Sequence, residues 1–260
     1  DVAAPVIDFP LTGRFPLDPS VGLVTLGDLD GDGDLDVAGL GASRPARSWL
    51  FVLDGDGRGQ FLAERKFQLS GLGRSMACGD LDGDGDLDVI AAIDFAIEAL
   101  WNDGAGGFEK STGVPVEPNP FQVLAHDLDG DGALDIATAN FLAVAGDSDS
   151  VSVLLNEGKG QLFPPRHFRT RKGMPLLSGG DLDGDGDFDL VVGAFRGNRL
   201  TVLKNAARGD FLDVEDFDMG PQFRFLSVTL GDIDGDRDLD MAASGGGGPV
   251  KLLLNDGAAR

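Results

Sequence analysis

The sequence predicts an all-β fold made of five similar antiparallel sheets, one for each copy of a repeated unit of about 50 residues. Three observations predict it. An acidic nine-residue segment recurs five times, short apolar runs flank every copy at matching places, and turn-forming residues separate those runs. The 40 glycines and 13 prolines of this 260-residue chain agree with many turns between many short strands.

The acidic segment reads DLDGDGDLD at residues 28–36 and 80–88, DLDGDGALD at 127–135, DLDGDGDFD at 181–189 and DIDGDRDLD at 232–240. Successive copies begin 52, 47, 54 and 51 residues apart. A nearly fixed period of this size indicates that each repeat is one supersecondary unit. We therefore interpret residues 1–260 as a single domain of five repeats.

Each repeat contains four runs that are typical of strands. In the first repeat, GLVTLG precedes the acidic segment, VAGL follows it and WLFVL lies further on. A turn rich in Gly and Asn, such as NDGAGGF in the second repeat, then leads to a fourth run that ends near Phe67, Val114, Phe168 or Phe217. The runs are short, apolar and bounded by turn residues, and Asn-Asp-Gly favours a tight hairpin. Four-stranded units arranged radially form a β-propeller.

The two ends of the chain complement one another. The fifth repeat stops at NDGAAR, just after its third strand, and the chain begins with APVIDFPLTG, which is similar to a fourth strand such as KFQL or DFDM. We expect this N-terminal strand to complete the last sheet and to close a ring of five four-stranded blades.

Composition excludes several classes of partner. The formal net charge is −23, from 44 acidic and 21 basic residues, whereas nucleic-acid binding needs a basic surface. No apolar stretch approaches the roughly 18 residues of a membrane span, so we expect no membrane insertion. The single cysteine, Cys78, allows no intramolecular disulfide and is interpreted as a small buried side chain.

The acidic segments have the composition of calcium loops. Numbering the first Asp as position 1, Asp also stands at positions 3, 5 and 9, and Gly stands at position 6 in four of five copies. Ca²⁺ takes six to eight oxygen ligands, and a tightly curled loop can direct alternate side chains at one centre. We expect the residue at position 7 to contribute its backbone carbonyl, because the Gly before it permits a sharp turn.

This assignment gives five residues per loop. The residues predicted to hold metal are Asp28, Asp30, Asp32, Asp34 and Asp36; Asp80, Asp82, Asp84, Asp86 and Asp88; Asp127, Asp129, Asp131, Ala133 and Asp135; Asp181, Asp183, Asp185, Asp187 and Asp189; and Asp232, Asp234, Asp236, Asp238 and Asp240. About five Ca²⁺ ions are therefore expected, one per repeat. The alternative is a set of solvated acidic turns without cations.

Two departures from the pattern have opposite consequences. Ala133 replaces Asp at position 7 of the third loop, which a backbone ligand tolerates. Arg237 replaces Gly at position 6 of the fifth loop, where a left-handed conformation costs a non-glycine residue about 1 kcal/mol. Its positive charge also lies beside the metal, so the fifth site is expected to be the weakest. The loops are not EF-hands, because position 12 carries no Glu and a strand follows each loop.

The pattern D-x-D-x-D-G-x-x-D resembles the FG-GAP/VCBS repeat family, which includes the calcium-binding blades of integrin α-chain propellers. The resemblance covers nearly the whole chain, and only the fifth loop lacks the Gly. It implies a β-propeller, calcium between strands one and two of a blade, and an extracellular setting. It does not imply one function, since the family includes adhesion receptors, lectin-like proteins and domains attached to enzymes.

The end of the propeller opposite the calcium loops has a different chemistry, because arginines and phenylalanines recur in its loops. The candidate ligand face consists of Arg44, Arg47, Arg74, Phe95, Phe141, Arg171, Lys172, Phe195, Arg196 and Arg224. Arg suits carboxylate and sulfate groups, and exposed aromatic rings stack on sugars or anchor proteins. The alternative is that these are ordinary loop arginines and half-buried phenylalanines that fill the channel.

These features predict a non-enzymatic, extracellular binding or adhesion module with structural calcium and an unknown protein or glycan ligand. Calcium sites of extracellular modules have Kd values of about 10⁻⁴ to 10⁻³ M, and such sites would stay largely empty in a cytosol. One alternative is a carbohydrate-active enzyme, either a glycosidase or a polysaccharide lyase. Its candidate carboxylates are Asp94, Glu98, Asp147 and Asp149. A structural spacer within a larger secreted protein is another alternative.

Overall fold

A computed structural model describes residues 21–43, 47–141, 148–171, 173, 175–194, 198–221, 223–246 and 249–257. The N-terminal segment that was predicted to complete the last sheet lies in residues 1–20, outside the described residues. The described residues form 19 strands. They contain no helix that is long and apolar enough to cross a membrane.

The strands fall into five sheets, numbered here in chain order. Sheet 1 contains β1 (Val21–Gly27), β2 (Asp36–Ser43), β3 (Arg47–Gly55) and β4 (Phe61–Gln68). Sheet 2 contains β5 (Ser75–Gly79), β6 (Asp88–Ile93), β7 (Ala96–Trp101) and β8 (Lys110–Pro115). Sheet 3 contains β9 (Pro120–His126), β10 (Asp135–Asn140), β11 (Ser148–Leu154) and β12 (Arg166–Arg171). Sheet 4 contains β13 (Pro175–Gly180), β14 (Asp189–Ala194), β15 (Arg199–Lys204) and β16 (Asp213–Asp218). Sheet 5 contains β17 (Phe225–Gly231), β18 (Asp240–Gly245) and β19 (Lys251–Leu253).

Within every sheet the strands are antiparallel and lie in the order in which the chain forms them. Each acidic loop connects the first strand to the second, and in sheets 1 to 4 the Gly-rich turn connects the third strand to the fourth. The predicted four strands per repeat are therefore confirmed for sheets 1 to 4. Sheet 5 has three strands in the part of the chain that the structure describes.

The hydrophobic cores lie between neighbouring sheets, as expected when sheets are arranged radially like the blades of a propeller. Leu40, Leu50 and Val52 of sheet 1, for example, pack against Val89 and Leu100 of sheet 2. Equivalent clusters join sheets 2 and 3, sheets 3 and 4, and sheets 4 and 5. The second strands of sheets 2, 3 and 4 are buried along their whole length, because each is covered on both faces.

An aromatic pair closes two of these seams at the same place. The ring of Phe67 on β4 lies 5.4 Å from that of Phe108, which follows the hairpin turn of sheet 2, in an edge-to-face arrangement. Phe168 on β12 and Phe211 of sheet 4 repeat this contact at 5.4 Å. Such pairs contribute about 0.5–1.5 kcal/mol beyond the apolar area that they bury.

The residue just before each acidic loop also takes part in a seam. A Cβ atom on Gly27 would lie 2.8 Å from Cδ1 of Leu87, which is at position 8 of the next loop, so no side chain fits there. Gly79 and Leu134 repeat this close approach. His126 occupies the glycine position in sheet 3, and its ring stacks on Phe188 at a centroid distance of 3.7 Å. His126 is therefore a packing residue.

The arc of sheets has two apolar ends. No hydrophobic cluster among the described residues joins sheet 5 to sheet 1. Val24 and Leu26 of sheet 1 are 65% and 62% exposed, and Val250 and Leu252 at the other end are 61% and 57% exposed. The described residues thus contain four of the five seams that a closed ring of five sheets requires.

Candidate metal centres

The five acidic loops share one backbone conformation. Position 4 and position 6 both lie in the left-handed region, with φ of 77° at Gly83 and 98° at Gly85 in the second loop. Glycine adopts this conformation without steric cost. Arg237 adopts it as well, with φ of 84°, which confirms that this residue is held in a conformation that non-glycine residues avoid. The glycine at position 6 was predicted from the repeat pattern, whereas the role of the glycine at position 4 was not.

The Asp at position 1 organises the loop. Both oxygens of the Asp80 carboxylate accept backbone N–H groups, from Gly83 at 2.7 Å and Gly85 at 3.0 Å. The same pair of bonds is formed by Asp28, Asp127, Asp181 and Asp232. A carboxylate has about four lone-pair sites, so these bonds leave capacity for a cation.

The Asp at position 9 begins the second strand and is buried. In sheet 2, Asp88 accepts the N–H of Leu81 at 3.0 Å and that of Asn102 at 2.9 Å. These bonds join the start of the loop to the end of the third strand. Equivalent bonds reach Asp36, Asp135, Asp189 and Asp240.

Carboxylate oxygens from positions 1, 3 and 9 converge. In the second loop, oxygens of Asp80, Asp82 and Asp88 lie within 4.8 Å of one another. The equivalent groups are Asp127, Asp129 and Asp135 in the third loop, and Asp181, Asp183 and Asp189 in the fourth. In the first loop, Asp30 belongs to two such groups, one with Asp28 and Asp32 and the other with Asp36 and Asp54. Asp54 was not among the predicted ligands.

The residues at positions 5 and 7 are placed differently. Asp84 at position 5 accepts the N–H of Asp86 at 3.0 Å. The carboxylate of Asp86 at position 7 lies over the hairpin turn, where its Oδ2 would be 2.5 Å from a Cβ on Gly104. Ala133 occupies the same place over Gly158 in the third loop. The position 7 side chains thus face the turn, which agrees with a backbone role for this position.

Burial makes the converging carboxyl groups hard to ionise without a cation. Desolvation raises the pKa of Asp88 to about 6, with smaller contributions from the charges of Asp82 and Asp84. The hydrogen bonds from Asn102 and Leu81 oppose this rise without cancelling it. Burial also raises the pKa of Asp82 at position 3, and the charge of Asp84 adds to this.

The third and fourth loops behave in the same way. Burial raises the pKa of Asp135 to about 7 and that of Asp189 to about 6. In the fifth loop the balance is reversed, because hydrogen bonds from Asn255 and Ile233 lower the pKa of Asp240. Loops 2 to 4 therefore carry the strongest electrostatic demand for a cation.

In sheets 2 to 5, an asparagine that was predicted only as a turn residue links the acidic loop to the loop of the preceding sheet. The side-chain amide of Asn102 donates to the carbonyl oxygen of Leu29 in the preceding loop at 2.8 Å and to that of Leu87 in its own loop at 3.0 Å. Its Oδ1 accepts the N–H groups of Gly104 and Gly106. Asn156, Asn205 and Asn255 make the equivalent donations. The recurrence of Asn at the end of the third run was the available signal.

Sheet 1 lacks this asparagine. Its register places Gly55 where the other sheets have Asn, since Leu53 pairs with Val37 just as Leu100 pairs with Val89. The N–H of Gly55 still donates to Asp36 at 2.7 Å. Sheet 1 therefore keeps the bond within its own loop but has no side chain that could reach a preceding loop.

The candidate ligand face is only partly described. Arg44, Lys172, Phe195 and Arg196 lie outside the described residues, as does the side chain of Arg47. Phe95 and Arg224 are exposed, and Phe141 is half-buried. The backbone N–H of Phe141 donates to the carbonyl oxygen of Asn119.

Two predicted ligand-face arginines have protein partners. Nε of Arg171 lies 2.6 Å from Oδ2 of Asp216, so this pair joins the outermost strands of sheets 3 and 4. Arg74 lies 3.8 Å from the carboxylate of Asp94. These arginines balance acidic groups of the protein itself, and this weakens their assignment as ligand-binding residues.

The carboxylates considered for a carbohydrate-active enzyme also have structural partners. Glu98 is buried on β7, where it accepts bonds from the backbone and hydroxyl of Ser70 and from the hydroxyl of Ser111. Asp149 is buried on β11 and accepts the N–H of Gly173 at 2.6 Å. Asp147 lies outside the described residues. Both buried carboxylates belong to third strands and hold connecting loops in place.

The residues present fit a calcium ion. The converging donors are all carboxylate oxygens, which hard cations such as Ca²⁺ prefer, and the described loops offer no His or Cys ligand to them. The raised pKa values of Asp88, Asp135 and Asp189 show that these groups lack compensation from other positive charges. A divalent cation would supply that compensation.

Two solved structures that resemble this chain are longer than it. One match is a lectin from Agrocybe aegerita whose structure explains specific recognition of non-reducing terminal N-acetylglucosamine. It is 21% identical with a TM-score of 0.56, and the match covers 91% of this chain and 66% of the lectin. Another is the Tc holotoxin pore of Photorhabdus luminescens, at 20% identity and a TM-score of 0.48, covering 94% of this chain and 11% of the toxin. The present chain thus spans less than two thirds of either.

Sequence comparisons identify the repeat. No curated protein sequence matches the chain. Residues 28–91 and 181–243 match the family described as the FG-GAP-like repeat, and each of these stretches begins at position 1 of an acidic loop. The resemblance inferred from the aspartate pattern is therefore confirmed at two places, and these two stretches are FG-GAP-like repeats.

Proposed function

We propose that this protein is an extracellular calcium-binding β-propeller module in which calcium is structural. One observation carries the proposal: carboxylates from positions 1, 3 and 9 converge within 4.8 Å in three successive loops, and the one at position 9 is buried in each. Repulsion and desolvation make such a cluster costly without a cation. The FG-GAP-like repeats support the same conclusion.

Each ion would be held by the carboxylates at positions 1, 3, 5 and 9 and by the backbone carbonyl at position 7. In loop 1, Asp54 is a further candidate. Bound Ca²⁺ supplies positive charge, and five ions would change the formal net charge from −23 to −13, since 5 × 2 = 10. The asparagine links would carry the effect of each ion into the adjoining seam.

The expected stabilisation is large. With 1–2 mM Ca²⁺ and a Kd near 10⁻⁴ M, each site adds about 1.5 kcal/mol of stability. Five such sites would add about 7 kcal/mol, which is comparable to the whole stability of an ordinary domain. Calorimetry in 2 mM CaCl₂ and in EDTA tests this, with MgCl₂ as the control. A melting temperature that is the same in CaCl₂ and EDTA would contradict the proposal.

The extracellular setting follows from the affinity that we expect. Sites with Kd between about 10⁻⁴ and 10⁻³ M fill at extracellular but not at resting cytosolic calcium. Isothermal titration of the EDTA-treated protein measures this affinity directly. A Kd below 1 μM (order of magnitude for intracellular sensors and buffers) would argue for a setting inside the cell instead.

We further propose that the module binds a ligand, without enzymatic turnover, at the end opposite the calcium loops. The fold shared with a lectin makes a glycan the first class to test, and a protein ligand is the alternative. Among the described residues, exposed Phe95 and Arg224 are the best candidates. We regard catalysis as the weaker reading, because Glu98 and Asp149 are engaged in structural hydrogen bonds.

A glycan array tests the ligand face. Phe95→Ala and Arg224→Glu should each lower the signal at least several-fold, whereas Arg58→Glu on the calcium-loop end should not. Equal glycan binding by all three variants would contradict the assignment of this face as the ligand-binding site. Release of reducing ends from a polysaccharide by the wild-type protein would favour the enzymatic alternative.

We also propose that the arc of five sheets is a ring closed by the N-terminal segment. The apolar side chains left exposed on sheets 1 and 5 support this. Small-angle scattering distinguishes a closed ring from an open arc, because the arc has a larger radius of gyration.

A further inference from the structure

A cavity lies between sheets 4 and 5 at the open edge of β19. Its volume is about 320 Å³, and its apolar wall is formed by Val202, Phe217, Met241 and Leu253. Lys204 and Glu215, which are paired at 2.8 Å, also line it. An engineered cavity of about 150 Å³ accommodates benzene, so this one has room for an aromatic side chain.

The other seams show what belongs in this place. Position by position, the four apolar residues of the wall correspond to residues that surround an aromatic ring in two other seams. They correspond to Val52, Phe67, Val89 and Leu100 around Phe108, and to Val153, Phe168, Leu190 and Leu203 around Phe211. The cavity is therefore the position of the aromatic residue that stands at or just before the start of a fourth strand, and no described residue fills it.

The sequence of the N-terminal segment has the matching spacing. Phe108 and Phe211 stand six residues before Val114 and Phe217, the fourth-strand residues that face the next sheet. Phe67 and Val114 each precede the next acidic loop by 13 residues. Phe9 and Phe15 are also six residues apart, and Phe15 precedes Asp28 by 13 residues. Phe9 thus corresponds to Phe108 and Phe211.

We propose that residues 9–16 add to the free edge of β19 as the fourth strand of sheet 5 and that Phe9 fills the cavity beside Phe217. This inference rests on the proposed ring and names the side chain that locks it. The four residues 17–20 would connect this strand to β1, just as residues 116–119 connect β8 to β9. The connection is short enough to bring sheet 1 against sheet 5.

The two end sheets carry the parts of a fifth seam. Leu35, at position 8 of the first loop, is 61% exposed, and a Cβ atom on Gly231 would meet nothing within 4 Å. In the formed seams, Leu87 covers Gly27 at the equivalent place. The residues equivalent to Val250 and Leu252 are buried in every other sheet. Those equivalent to Val250 are Leu50, Ile97, Val151 and Leu200. Those equivalent to Leu252 are Val52, Ala99, Val153 and Val202.

An engineered disulfide tests the strand and its register. Leu252 is equivalent to Val52 and Val202, whose fourth-strand partners are Arg65 and Glu215. Gly13 is equivalent to these two partners, so it should face Leu252. In a Cys78→Ala background, Gly13→Cys with Leu252→Cys should oxidise to a disulfide-bonded monomer. The matched control is Thr12→Cys with Leu252→Cys, which should oxidise much less, because a shift of one residue turns the side chain to the other face.

The outcomes separate the possible occupants of the edge. An intramolecular disulfide in the Gly13 variant alone supports the proposal. A disulfide-linked dimer would show that a second copy supplies the strand, and equal oxidation of both variants would show a mobile segment; either result overturns it.

The cavity assignment has its own test. Phe9→Ala and Phe217→Ala should each lower the melting temperature, and the double variant should lose clearly less than the sum, because each removes the same contact. Leu11→Ala is the control, since the equivalent residues Ala63, Lys110 and Asp213 are exposed. The disulfide between positions 13 and 252 could form while the decreases in melting temperature for Phe9→Ala and Phe217→Ala are additive. That result would overturn the cavity assignment and leave the proposed ring intact.

Discussion

The side-chain nitrogen of Asn156 lies 2.7 Å from the backbone carbonyl oxygen of Leu81 in the neighbouring sheet. Leu81 is position 2 of an acidic loop and is completely buried. The same bond recurs between Asn102 and Leu29. Loops 1 to 4 are thus each attached to the end of the third strand of the next sheet, so the state of the loop affects the seam between them.

Asn156→Ala should therefore destabilise the protein by about 2–3 kcal/mol, because it leaves the buried carbonyl oxygen of Leu81 and the partly buried one of Leu134 without their donor. Chemical denaturation in saturating Ca²⁺ measures this. Asn198→Ala is the control, since the amide of Asn198 makes an exposed bond to Asp218. A loss below about 0.5 kcal/mol, the size of an ordinary surface substitution, would show that the link is energetically unimportant.

Stability should depend on pH in opposite directions with and without calcium. In the metal-free protein, the pKa values of Asp88, Asp135 and Asp189 are raised to about 6, 7 and 6, so the native state binds more protons than the unfolded chain between about pH 4 and 7. Stability from these groups is full below the unfolded pKa and is lost as the pH rises through the folded values.

Calcium reverses this sign, because the bound ion requires ionised carboxylates. In EDTA the melting temperature should fall from pH 5 to pH 8, and in 2 mM CaCl₂ it should rise over the same interval. Scanning calorimetry at both pH values gives the comparison. A rise in EDTA would mean that these carboxyl groups are ionised in the metal-free native state.

The second loop distinguishes side-chain ligands from backbone ligands. Asp82→Asn at position 3 removes a converging carboxylate and should lower the stoichiometry by one ion. Asp86→Asn at position 7 should retain all ions, because the Asp86 side chain lies over the turn at Gly104. Native mass spectrometry across a calcium titration counts the ions. Equal losses in both variants would assign a side-chain role to position 7.

Arg237→Gly should strengthen the fifth site. The substitution removes a left-handed conformation that costs about 1–2 kcal/mol, although the greater freedom of glycine in the unfolded chain offsets part of this gain. It also removes a positive charge beside the metal. We expect the weakest calcium Kd to fall several-fold in calorimetric titration. The matched control, Gly186→Arg, should create a second weak site in the fourth loop.

The sequence predicted the features that each repeat carries within itself. Strand order, the acidic loops and the strain at Arg237 depend on residues close together in the chain, so their spacing was sufficient. The link from Asn156 to Leu81 could not be predicted in the same way, because it joins residues 75 positions apart through the packing of two sheets. Only the repetition of Asn indicated that it had a role.

The candidate ligand face was predicted less well, for an electrostatic reason. A sequence shows that Arg171 is charged, but it does not show that Asp216 lies on the adjacent strand edge 2.6 Å away. In a chain with twice as many acidic as basic residues, most of the arginines whose side chains the structure describes pair with a carboxylate. Charge alone was therefore a poor predictor of which arginines are available to a ligand. The exposure of Phe95 likewise could be established only from the structure.

The loop and turn at the metal end are fixed in length, and this has an evolutionary consequence. Each acidic segment has nine residues, and six positions separate Gly55 from Phe61, Asn102 from Phe108 and Asn205 from Phe211. The differences among repeats of 47 to 54 residues consequently fall at the other end of the sheets. Insertions can accumulate there without disturbing the cation sites, so that end is free to diversify among relatives while the scaffold is kept.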